Sequence, residues 1–92
     1  MITRILGEGQ FDVDEDRLSE LNVLDEALQA AIDSGQEAAF DTSLRALLDA
    51  ARRFGTPLPE TTLTGSELVL PAQDSTLEQV RALLGDEGLI PG

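Results

Sequence analysis

The side chains able to do chemistry in this 92-residue chain are carboxylates, hydroxyls, amides and guanidiniums. There are 18 acids and six bases; every base is arginine, and His, Cys, Lys, Tyr and Trp are all missing. That inventory lacks the usual general base near neutral pH, the thiolate and Schiff-base nucleophiles, and the commonest metal ligand. A carboxylate pair alone can hydrolyse a glycosidic bond. Nothing in the spacing singles out such a pair, and a chain this small rarely encloses a deep cleft. The residues therefore read as non-enzymatic, with no catalytic residue, cofactor or metal ligand assigned.

Two local patterns invite chemistry and fail on inspection. Asp12-Val13-Asp14-Glu15-Asp16 has the alternating acids of a calcium loop. An EF-hand then needs Gly at its sixth position and Glu at its twelfth, where this chain has Arg17 and Val23. Gly7-Glu8-Gly9 contains a G-x-G, but no third glycine and no helix follow at once, so it is a turn and not a dinucleotide fingerprint. Around that turn, Glu8, Gln10 and Phe11 place an acid, an amide and a ring close together. We read them as candidate protein-binding residues. Leu68 and Leu70 in a short apolar segment, and Leu89 and Ile90 in the apolar tail, complete the candidate contact set.

The elements that must position these residues follow from spacing. Residues 2–6 and 10–13 read as two short strands joined by the glycine turn. From Asp16 to Asp33 the apolar steps become helical: Leu18, Leu21, Leu24, Leu28 and Ile32 form one stripe. Ser34 and Glu37 have the spacing of a capping box, which would open a second helix at once. Its stripe is Phe40, Leu44, Leu47, Leu48, Ala51 and Phe54, with Arg52 and Arg53 at the end favoured by the helix dipole. Two helices so closely joined should form an antiparallel hairpin.

Gly55 stops the second helix, and Thr56-Pro57-Leu58-Pro59 is extended because proline pushes its predecessor out of the helical region. Residues 60–67 read as loop. Leu68-Val69-Leu70-Pro71 is a third short strand, confined by its proline to an edge or a strand end. Ser75 and Glu78 make a second capping box, opening a short helix that Gly85 would cap. The expected fold is a single α+β domain spanning 1–92. It has a two- or three-stranded antiparallel sheet, an antiparallel helical hairpin and a short C-terminal helix.

Sixteen leucines, ten alanines and only three phenylalanines favour helix packing over a β-sandwich. The net charge of -12 repels phosphate backbones and anionic lipid surfaces, which argues against nucleic acid as a direct ligand. No apolar run approaches the ~20 residues that cross a bilayer, so direct membrane insertion is not expected. Met1 to Leu6 turns polar too early for a secretory signal. The expected location is cytoplasmic.

Several segments together resemble one family. Met1-Ile2-Thr3-Arg4-Ile5-Leu6-Gly7-Glu8-Gly9-Gln10-Phe11 is similar to the start of the PspA-associated domain proteins. So are Leu21-Asn22 to Asp25, Arg53-Phe54-Gly55-Thr56-Pro57-Leu58-Pro59, Ser66-Glu67-Leu68-Val69-Leu70-Pro71, and Leu83 through Gly92. That family is associated with phage shock protein A, a coiled-coil membrane-remodelling protein of the envelope-stress response. The resemblance implies an accessory protein that binds phage shock protein A and is drawn to the inner membrane face through it. It supplies no catalytic residue and no cofactor. A homodimer stays open on the sequence. The competing class is an acidic nucleic-acid mimic that blocks a basic DNA-binding protein. Its acids would need to run along one strip, whereas here they cluster at helix starts between apolar stripes.

Overall fold

The computed structural model describes residues 1–59 and 65–83. Two strands open the chain, β1 (Ile2–Ile5) and β2 (Gly9–Val13), paired antiparallel from Ile2 opposite Asp12 to Ile5 opposite Gly9. The turn between them needs left-handed backbone, and its glycines supply it, with φ of 86° at Gly7 and 111° at Gly9. A single 3-10 turn at Glu15–Arg17 then leads into α1 (Leu18–Ser34). That turn occupies residues expected at the helix start.

α1 ends on Gly35, whose φ of 70° lets two carbonyls be satisfied. The Gly35 amide donates to Ile32 O at 3.1 Å and the Gln36 amide to Ala31 O at 3.3 Å, a Schellman stop. α2 (Glu37–Phe54) follows immediately and packs on α1 as a helical hairpin. The expected Ser34–Glu37 capping box does not form. Ser34 is still inside α1, where its hydroxyl donates to Ala31 O at 3.0 Å, and Gln36 takes the capping position without a side-chain bond. A residue in helical conformation cannot also be the extended N-cap of the next helix.

The sheet departs from expectation in strand number and direction. Gly55–Pro57 is a strand, β3, antiparallel to β2, and Leu68–Leu70 is β4, parallel to β1. The result is a four-stranded mixed sheet in the order β3-β2-β1-β4, not a two- or three-stranded antiparallel one. β3 is too short to show alternation, and parallel pairing leaves no local mark in sequence. Glycine at 55 is what lets β3 lie so close: a Cβ there would meet Ala51 O at 2.8 Å, Phe11 Cβ at 2.9 Å and Val13 Cγ2 at 3.0 Å. Both edge strands are three residues long and end at a proline, Pro57 or Pro71, which blunts them against pairing with another chain.

α3 (Leu77–Leu83) begins with a reciprocal capping box one residue later than expected. The Thr76 amide donates to Gln79 Oε1 at 2.9 Å and the Gln79 amide to Thr76 Oγ1 at 3.1 Å. Ser75 cannot serve, because its own amide already closes the preceding turn on Ala72 O at 3.0 Å. The proposed cap at Gly85 and the tail residues lie outside the described residues.

The core fills the space between the inner sheet face and the helices. Ile5, Phe11, Val13, Leu68 and Leu70 come from the sheet. Leu21, Leu28 and Ile32 come from α1, Phe40, Leu44, Leu47, Leu48 and Ala51 from α2, and Leu77 and Val80 from α3. Each fully buried leucine contributes about 1.5–3 kcal/mol relative to exposure. Both helical stripes read from the spacing are therefore the inner faces of the hairpin. Asp25 is also buried in the α1 stripe, where it accepts from Gln29 Nε2 at 3.3 Å.

Candidate functional site

Strand alternation sorts the candidate contact residues onto two faces. Thr3 lies opposite both Phe11 and Leu68, and Ile5 opposite Leu70. All of these are buried beneath the helices. The structure thus brings Phe11, Leu68 and Leu70 together as core. The apolar side chains of this region that face solvent are Val69, between the two buried leucines, and Leu6 beyond β1. In Leu68-Val69-Leu70 the period of two already required one residue to point away from the core. Leu89 and Ile90 lie outside the described residues.

Gln10 sits on the outer face beside Arg4, its cross-strand partner. Ser66 lies over that pair: its hydroxyl accepts from Gln10 Nε2 at 2.8 Å and from Arg4 Nε at 3.3 Å. On the β3 side, the Leu58 amide donates to Gln10 O at 2.9 Å. The start of the β3–β4 connection thus continues the ladder beside β2, while its described end, at Ser66, rests on the outer face. Between Arg4, the glycine turn, Gln10 and Leu58-Pro59 lies a shallow polar recess of about 350 Å³.

Glu8, at the tip of the turn, is engaged from below. Arg52 Nε meets its Oε1 at 2.7 Å and Nη2 its Oε2 at 2.5 Å. The same guanidinium reaches Asp49 at 2.6 Å and Gln73 Oε1 at 3.0 Å. The bond from Arg52 holds the Glu8 carboxyl below its ordinary range, against a smaller opposing effect of burial. Glu8 raises the Arg52 pKa in turn. Glu8 thus has a structural partner, which spacing alone did not indicate.

A second recess of about 250 Å³ lies between the start of α2 and the start of α3, with Glu37, Asp41 and Asp74 at its rim and Phe40 and Leu77 in its wall. Among the described residues, no group of three or more acids is arranged to hold a metal ion. Asp25 is the one buried acid among the described residues; the others are exposed. No helix among them is long and apolar enough to cross a membrane.

A four-stranded mixed sheet backed by a helical hairpin, with an acidic exterior and, among the described residues, shallow polar recesses and no deep cleft, defines a small α+β module. The chain belongs to the PspA-Associated protein family, whose model matches residues 1–92. No curated protein and no solved structure matches it.

Proposed function

We propose that this chain is a non-enzymatic accessory protein that binds phage shock protein A and tunes the membrane-stress response through it. The observation that carries this reading is the family match along the whole chain, 1–92. The surface supports it. Exposed acids on every described helix make association with a basic partner favourable, and they speed encounter at low ionic strength. The blunted sheet edges favour docking by side chains over strand addition. On this reading the chain stays cytoplasmic and reaches the inner membrane face only with its partner. Co-purification of the untagged chain with tagged phage shock protein A tests the reading directly. Recovery in stoichiometric amount supports it, and loss of the chain in the first low-salt wash contradicts it.

A further inference from the structure

We infer that the outward face of α1 is the docking surface for a basic amphipathic helix of the partner; this rests on the function proposed above. α1 is amphipathic in an unusual way. Its inner stripe is the core. Its outer face carries a second series, Ser19, Val23, Ala27, Ala30 and Ser34, at steps of three and four residues. All five are exposed, and Val23, at 64%, is the most exposed large apolar residue described. Steps of three and four are the spacing by which one helix presents a seam to another. Small side chains on that seam let a second backbone approach closely, with Val23 as the apolar anchor.

The charge on either side of the seam selects the occupant. Glu26 and Asp33 flank it on one side and Glu20 on the other, and α1 contains no base from Leu18 to Ser34. Glu20 is paired with Arg17 at 2.9 Å, whereas Glu26 and Asp33 are exposed. The outward face of α2 differs in charge: its exposed small residues Ala38, Thr42 and Ala46 are flanked by both signs, Asp41 and Asp49 with Arg45 and Arg53, a mixed polar surface. An apolar seam with acidic margins complements a helix carrying Ala or Leu on its contact face and Lys or Arg beside it. An acidic helix, a strand or a phosphate-bearing ligand would meet like charge or find no backbone partner.

The test uses the full chain and purified phage shock protein A, with binding followed by titration calorimetry. Val23→Arg and Ala27→Arg each place a bulky cation on the seam at an exposed helical position, so folding is retained and is checked by circular dichroism. Thr56→Arg adds the same charge on the opposite side of the molecule, on the outer face of the sheet. We expect each seam variant to weaken binding by about tenfold or more, as loss of a central contact does. The Thr56 variant should stay within about twofold, as a peripheral charge change does. Unchanged binding by both seam variants overturns the surface while leaving the proposed function intact. Absence of binding by the unaltered chain overturns both.

Discussion

Arg52 and Glu8 are 44 residues apart in sequence and meet through two parallel hydrogen bonds, at 2.7 and 2.5 Å. With Asp49 and Gln73 on the same guanidinium, one side chain joins the β1–β2 turn, the last turn of α2 and the segment after β4. A two-pronged pair of this kind is stronger than an ordinary single-bonded surface ion pair. Arg52→Ala should therefore lower the unfolding free energy by about 1–2 kcal/mol, and Arg52→Lys should recover only part of it, because an ammonium cannot bridge both oxygens. Urea unfolding of the two variants measures this.

The same pair predicts a pH dependence. The folded Glu8 pKa is lowered, so its contribution is fully present above the unfolded value of about 4.5 and is lost as pH falls through the depressed folded value. Glu8→Gln should thus be less stable than the unaltered chain at neutral pH. The difference should shrink below about pH 4.5, which urea midpoints measured from pH 7 to pH 3 would reveal.

Thr3 is fully buried on the inner face of β1, and its hydroxyl has no hydrogen-bond partner among the described residues. An orphaned buried hydroxyl costs free energy that an isosteric methyl does not. Thr3→Val should raise stability by about 1 kcal/mol, seen as a higher urea midpoint at an unchanged slope. A lower midpoint would show that the hydroxyl is satisfied.

Gly55 has ordinary extended backbone, so its role is space alone: the neighbours of a Cβ there include the Ala51 carbonyl and the Phe11 and Val13 side chains, at 2.8–3.0 Å. Gly55→Ala should destabilise the chain by about 1–3 kcal/mol through overpacking between α2 and β2. Thermal unfolding of that variant beside Thr56→Ala, an exposed neighbour, separates the packing effect from a general loss of strand propensity.

Much of this fold was legible because helical patterns are local. The stripes of α1 and α2 and the glycine turn follow from periodicity and from what Gly permits, and Pro71 limits Leu68–Leu70 to an edge or a strand end, of which the fold takes the edge. β3 was not legible as a strand, since three residues ending in proline carry no alternation and depend on β2 for every pairing. Nor was the direction of β4, set by a connection between opposite sheet edges. The capping boxes show the limit of motif reading: T-x-x-Q at Thr76 won over S-x-x-E at Ser75 because a turn had already used the Ser75 amide. In the candidate contact set, Glu8 is exposed at the turn, Gln10 lies on the outer face but is buried there under Ser66, and alternation buries Phe11, Leu68 and Leu70 beneath the helices. The Glu8–Arg52 bond depends on tertiary proximity that no spacing rule encodes.

The proposed function has this acidic module act by binding phage shock protein A. Sedimentation of the two purified proteins together, at low and at moderate salt, tests it most directly. The expected result is a complex heavier than either component that weakens as salt rises, in keeping with attraction between opposite charges. Independent sedimentation of the two proteins at both ionic strengths would contradict it.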